Sequence, residues 1–278
     1  MTDELASELQ GFEDYAHHDG GLHWSALEFM TMLGYTDWRA FRQGVVQKAC
    51  DACTTLRIPV AENFRPTRTR VAGRAVADLR LTRFACYLIA MNGDPRMPEV
   101  AQAQRYFAGL AEALQETAES AEEVDRLLIR GEIADQERSL SSTASRQQLQ
   151  NYALFQDAGY LGMYNMHLFQ VRLRKRVPPS RSPLDFMHRE ELAANLFRLT
   201  QTEAKIRNQN IKGQAGLEAA AHEVGSTVRR TMEQMSGTKP EQLPPAEDLK
   251  QVAQELRATS RSFKRMDRLP PGQHGPDP

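Results

Sequence analysis

Residues 80–95 read RLTRFACYLIAMNGDP, and from Phe84 to Met91 every side chain is small, apolar or aromatic. This run of eight is far short of the roughly 20 residues a membrane-spanning helix requires. Thr82 is suited to cap a helix start, Asn92 and Gly93 to end it in left-handed conformations, and Pro95 to prevent continuation. The stretch predicts a short helix over 83–91, buried on nearly all sides. Such a helix sits at the centre of a small domain, and the neighbouring sequence must supply a shell for every face of it.

The segments before it fit that requirement. Leu22 and Trp24 suit a short strand, and Ser25 with Glu28 three residues on has the spacing of a capping box. Leu27, Met30 and Leu33 then mark one apolar face of a helix that Gly34 closes. A second helix is expected from Asp37 to about Cys53, with Trp38, Phe41, Val45 and Val46 inward. Residues 58–81 lack a helical period; they are broken by proline, then β-branched around Gly73, as expected for a loop and a small hairpin.

After Pro98 the pattern becomes a seam. Val100, Ala103, Phe107, Leu110, Leu114, Thr117, Ala121, Val124 and Leu128 alternate steps of three and four. That spacing predicts one long helix over 100–128, its seam closed either within the chain or against a second copy in a homodimer. The serine-rich stretch 136–150 reads as a hinge or a fraying helix end. Beyond it, aromatic residues with Gly159 and Gly162 suggest a tight helical corner. Helices follow with Leu192, Leu196, Leu199 and Ile206 inward, and again over 216–237.

The chain has 278 residues, of which 41% are hydrophobic and 26% charged, enough for two domains with modest cores. The expected fold is mainly α. A small α+β domain with a short β-hairpin (21–110) follows an acidic tail (1–20) and leads into a long acidic helix and polar hinge (111–150). A helical C-terminal domain (151–255) and a disordered tail (256–278) complete it. The acidic N-terminus has no leader character, no apolar run reaches spanning length, and three cysteines do not make a disulfide framework. A cytoplasmic protein with no membrane partner is expected.

The net charge of −1 conceals segregation. Residues 38–110 carry twelve basic side chains against five acidic, and eleven of the twelve are arginine. Residues 111–137 reverse this with nine acids and two arginines, and 138–182 return to seven basic against one acidic. Arginine suits bidentate contact with phosphate or carboxylate. Arg65, Arg68, Arg70 and Arg74 crowd the expected hairpin, Arg39 and Arg42 precede it, and Arg172, Arg174, Lys175 and Arg176 form a second cluster. All ten are candidate nucleic-acid contacts. The alternative for the hairpin set is pairing with Glu112, Glu116, Glu119 and their neighbours. Arg83, directly before the buried helix, is expected to be structural.

Other motifs carry less chemistry. Cys50 and Cys53 form a C-x-x-C pair without a second pair to complete a zinc site, at the end of a helix where a redox motif would open one. His17, His18 and His23 fall in a polar segment. Gly237-Thr238-Lys239 lacks the glycine-rich lead and preceding strand of a phosphate loop. No nucleophile elbow or paired-carboxylate signature is present. No catalytic residue, cofactor or metal is expected.

The stretch 80–95, together with LGYTDWRAF at 33–41, resembles the Bro-N type N-terminal domain of phage antirepressors and of the bacterial DNA-damage-inducible protein D family. FQDAGY (155–160), ELAANLFR (191–198) with TQTE (200–203), and GTKPEQLP (237–244) are similar to the second of these, so the resemblance spans residues 22–255. It implies a nucleoid-associated cytoplasmic protein of the DNA-damage (SOS) response without enzymatic activity, whose partner is DNA, a recombinase filament, or both. A DNA-binding transcription regulator of the antirepressor kind is the alternative, and a nuclease a more distant one.

Overall fold

A computed structural model of the chain describes residues 11–71, 73–114 and 120–268. In chain order these form β1 (Trp24–Ser25), α1 (Ala26–Met32), α2 (Trp38–Phe41), a π-helical turn (Arg42–Val46), α3 (Gln47–Thr55) and α4 (Val60–Asn63). Next come β2 (Phe64–Val71), β3 (Arg74–Leu81), α5 (Arg83–Met91) and α6 (Pro98–Ala113). Then follow α7 (Ala121–Arg146), α8 (Tyr152–Tyr164), α9 (Leu168–Arg174), α10 (Arg189–Asn208), α11 (Gln214–Ser236) and α12 (Leu249–Met266). The fold is mainly helical, with one antiparallel sheet ordered β1-β3-β2. Two compact units are present: one runs to Asp125 and takes in the chain again from Gln251, the other is Arg126–Lys250.

In the first unit α5 is the centre. Thr82 Oγ1 accepts from the Ala85 amide at 3.2 Å, and all nine side chains from Arg83 to Met91 are buried. The helix ends differently from expectation: Asn92 stays right-handed (φ −94°), and Gly93 is not among the positive-φ glycines. Gly93 is needed for space instead. A Cβ there would lie 2.8 Å from Val100 Cγ1, so its absence lets α6 close on α5. Tyr87 of α5 meets Phe107 of α6 and Phe263 of α12 edge-on, each at 5.8 Å.

Three expectations are corrected in this unit. Residues 11–20 are not a loose tail, since Phe12 is buried, stacks on Trp24 at 4.7 Å and accepts the indole N–H through its carbonyl. (Residues 1–10 lie outside the described residues.) The seam 100–128 is not one helix: α6 ends at Ala113 with Leu114 as its cap, and α7 starts at Ala121, while Thr117 falls outside the described residues. Val100, Phe107, Leu110, Val124 and Leu128 are buried within the single chain. Finally, 256–266 is not disordered. Val252, Leu256, Thr259, Phe263 and Met266 recur at steps of four and three along α12 and are buried.

The second unit is helical throughout. The serine-rich stretch from Gln136 to Arg146 continues α7 and is no hinge, because its polar side chains have an inward partner: the Gln136 amide and the Ser139 and Thr143 hydroxyls donate to Glu203 at 2.6, 2.9 and 2.8 Å. Gly159 and Gly162 do not turn a corner. Both lie inside α8, where a Cβ on Gly162 would stand 2.2 Å from the His222 carbonyl oxygen, and one on Gly225 would stand 2.7 Å from that of Gly159. Glycine at these positions lets α8 and α11 pack backbone to backbone.

Candidate nucleic-acid interface

The hairpin is longer than the sequence pattern suggested: two eight-residue strands pair from Phe64↔Leu81 to Val71↔Arg74. Its base is apolar, with Phe64, Leu79 and Leu81 buried, and its outer part is exposed. Gly73 at φ 79° supplies the left-handed position that a tight hairpin turn requires. Side chains alternate faces along each strand. Arg68 and Arg70 therefore share one face, opposite Ala77 and Ala75, while Arg65 and Arg74 lie on the other, opposite Arg80 and Val71.

One buried carboxylate ties the hairpin to its domain. Asp78 accepts from Ser25 Oγ (2.8 Å), the Leu27 amide (3.1 Å), Thr69 Oγ1 (2.7 Å) and the Leu79 amide (2.7 Å). Ser25 also caps α1 by accepting from the Glu28 amide, as the sequence predicts. Glu28 does not complete the capping box, because its carboxylate takes His17 Nε2 at 2.6 Å.

All four hairpin arginines are exposed, and none forms a hydrogen bond or ion pair with another described residue. Glu112, the described member of the acidic set proposed as their alternative partner, pairs with none of them; Glu116 and Glu119 lie outside the described residues. Arg80 is different, reaching Asp19 at 2.8 Å. Arg39 and Arg42 are likewise exposed, on α2 and the π-helical turn.

Arg83 is inside, as expected from its position, at 1% exposure. Its guanidinium meets both oxygens of Glu13, donates from Nε to Asp267 (2.7 Å) and lies 4.6 Å from the Trp24 ring centroid. Burial opposes the charge, but the hydrogen bond to Glu13 and the attraction of Asp267 more than offset it, so Arg83 holds its proton more tightly than an ordinary arginine. Burial also raises the Asp267 carboxyl, although Arg83 pulls it down.

The second cluster divides. Arg174 and Arg176 are exposed. Arg172 donates to the carbonyls of Arg181, Pro178 and Pro179 at 2.7–2.9 Å, closing the loop after α9. Lys175 is no surface contact: it is 3% exposed, with Nζ on Glu191 Oε2 (2.8 Å) and close to the Leu243 and Pro244 carbonyls. It faces inward because the helix turn places it against the fully buried Glu191. Burial pushes the Glu191 carboxyl up to about 7 even with Lys175 beside it. Asn195 then donates to Tyr164 Oη (2.8 Å) and accepts from Arg198, whose guanidinium lies over the Tyr160 ring. The motif residues Glu191, Asn195 and Arg198 thus form an internal polar network.

Burial pushes the Cys50 thiol up to about 11 and the Cys53 thiol to about 12, which keeps both protonated and unreactive. Among the described residues, no three His, Cys, Asp or Glu side chains are grouped to hold a metal, and no helix is long and apolar enough to cross a membrane.

Sequence reasoning missed the basic residues of α12, Arg257, Arg261 and Lys264, because it assigned them to a disordered tail. The buried positions of that helix, at steps of four and three, were the available signal.

Comparison with known proteins fits this architecture. Residues 14–108 match the BRO family N-terminal domain, and residues 120–252 match the DinD C-terminal domain. Over 259 residues the chain is 33% identical to DNA damage-inducible protein D of Escherichia coli strain K12, covering 87% of this chain and 94% of that protein. No solved structure matches.

Proposed function

The chain belongs to the DNA damage-inducible protein D family, and from that premise we propose that it is a non-enzymatic regulator of the bacterial DNA-damage response that binds nucleic acid through its hairpin. The observation that carries this reading is the projecting ribbon with four exposed, unpartnered arginines distributed over both faces. A two-stranded ribbon fits the major groove of B-form DNA, where side chains from both faces meet the flanking phosphates. With no acid among the outer residues of the ribbon, Arg65 to Ala77, its field there is positive throughout. Contacts of this kind are strong, salt-dependent and largely indifferent to sequence. Arg39, Arg42, Arg174 and Arg176 extend the set of exposed cations. A recombinase filament assembled on DNA presents the same phosphates, so both partners fall under one chemistry, in the cytoplasm at the nucleoid.

Joint replacement of Arg68, Arg70 and Arg74 by glutamine tests the reading. DNA affinity should fall, and each lost phosphate contact should reduce the slope of log affinity against log salt by roughly 0.7–0.9. Unchanged affinity and slope in a correctly folded variant would remove the hairpin as the interface. Pull-down on DNA with and without recombinase then separates direct binding from binding through the filament.

A further inference from the structure

At the base of the hairpin, within the first unit, a cavity of about 550 Å³ is lined by five cations from three segments. Arg57 comes from the turn after α3, Arg65 from the start of β2, and Arg257, Arg261 and Lys264 from successive turns of α12. Two acids share the wall, and each is engaged: Glu62 with Lys264 at 2.8 Å, Asp267 with Arg83 at 2.7 Å. Arg257 Nε donates to the Leu56 carbonyl at 2.8 Å, which fixes that side chain along the rim. Arg57, Arg65 and Arg261 make no hydrogen bond or ion pair with any described residue.

Three guanidiniums without a hydrogen bond or ion pair face one hollow and repel each other, and Glu62 offsets this only by its longer-range attraction for Arg65. Lys264 and Arg265 have an ordinary role at the end of α12, where cations complement the helix dipole. Arg57 has a similar one, as the left-handed residue (φ 55°) that closes α3, where the Ile58 amide donates to the Cys53 carbonyl at 2.9 Å; Arg65, on a strand, has none.

We propose that this cavity binds the phosphorylated end of a nucleic-acid strand. The proposal rests on the nucleic-acid reading above and names which part of the strand this surface takes. Charge favours an end over an interior linkage. A terminal phosphomonoester carries about −1.5 to −2 near neutral pH, against a single negative charge for a phosphodiester, and it matches the surplus of guanidiniums better. The volume lies within the range of small-molecule pockets and accommodates one nucleotide, with Ile58 and Pro59 as apolar wall for the base or sugar. A second, shallower hollow lined by Arg261, Lys264, Arg265 and Arg268 continues the positive surface for the next phosphates. Arg65 belongs to both the cavity and the hairpin, so the strand end and the groove contact lie on one continuous surface.

The test titrates the full-length protein with an internally labelled DNA duplex whose short single-stranded overhang ends in phosphate or in hydroxyl, at the 5′ or the 3′ end. One phosphate-bearing end should bind about tenfold more tightly than its hydroxyl counterpart, as expected for charge-assisted hydrogen bonds. The pair Arg57→Asn and Arg261→Gln should abolish that preference; asparagine tolerates the left-handed backbone, and an unchanged melting temperature shows the fold is kept. The hairpin variant should weaken both duplexes while leaving their ratio as in the wild type. Equal affinities for phosphate and hydroxyl ends in the wild type would overturn the proposal and leave the hairpin reading standing. Competition by free deoxynucleoside monophosphate as effective as by the phosphorylated duplex would overturn it too, assigning the cavity to free nucleotides. A hairpin variant with unchanged affinity, alongside a retained end preference, would sink the hairpin reading alone.

Discussion

Arg83 in the first unit and Lys175 in the second both stand beside other basic residues in the sequence, and both are buried, at 1% and 3% exposure. They are compensated differently. The guanidinium fork covers Glu13 and Asp267 at once, touches Tyr106 Oη and lies against Trp24. The ammonium covers one oxygen of Glu191 and leaves Oε1 without a partner. A planar donor array can hydrogen-bond two carboxylates at fixed angles in one place, which a compact point charge does less well. In the first arrangement every guanidinium nitrogen has a carboxylate partner. The second keeps a carboxyl that titrates near neutrality.

The sharpest way to break this comparison is Arg83→Ala. It leaves the largely buried Asp267 without its partner, along with the half-exposed Glu13, and should cost about 3–5 kcal/mol in chemical denaturation. A loss below about 1 kcal/mol would show that the site relaxes and that its pairing is incidental. Lys175→Met should cost less, about 3 kcal/mol near pH 8, and less still near pH 6, because Glu191 can take a proton in place of its partner. A pH-independent cost would contradict the raised carboxyl.

The wild-type pH profile is a subtler measure. The Glu191 carboxyl is raised to about 7 in the folded chain. Unfolded, a glutamate titrates at about 4.3. Between these values the folded state holds more protons, so stability falls as pH rises. The contribution is complete below the unfolded value and lost through about pH 7. The loss should be about 3–4 kcal/mol, and Glu191→Gln should flatten it. Smallest of all, single glutamine replacements at Arg68, Arg70 or Arg74 should move stability by less than about 0.5 kcal/mol, since exposed side chains without partners hold nothing in place.

Much of the first unit is legible in its sequence because its signals are local. Thr82 caps α5, Ser25 caps α1, and Gly73 turns the hairpin, each through chemistry written within three or four residues. Arg83 is legible from its adjacency to an apolar helix. What the sequence obscures is set by contacts far along the chain. Lys175 looks like its exposed neighbours Arg174 and Arg176 until Glu191 closes on it. The serine-rich part of α7 looks like a hinge until Glu203 accepts from Ser139 and Thr143. Gly159 and Gly162 look like turn residues, yet their reason is the approach of α11. In α12 the charged residues outweigh a sparse apolar seam, so composition suggests disorder although the periodicity of a packed helix is present. The candidate site divides the same way. The hairpin arginines are visible as a cluster, while the cavity needs Arg57 and Arg261, far apart in sequence, to meet.

The bonds converging on Asp78 make the hairpin a cantilever, anchored at one end and loaded at the other. Its root is fixed to the segment that starts α1, so the strands are held straight before any partner arrives. A disordered basic loop of the same composition would have to lose chain entropy on contact and would bind more weakly for it. The clamped ribbon has already lost that entropy in folding. On the proposed nucleic-acid reading, its association should therefore be governed by diffusion and charge, fast at low salt, with no slow ordering step. Loosening the root, as in Asp78→Asn, would be felt first as a slower and less salt-sensitive encounter, while every arginine remains in place.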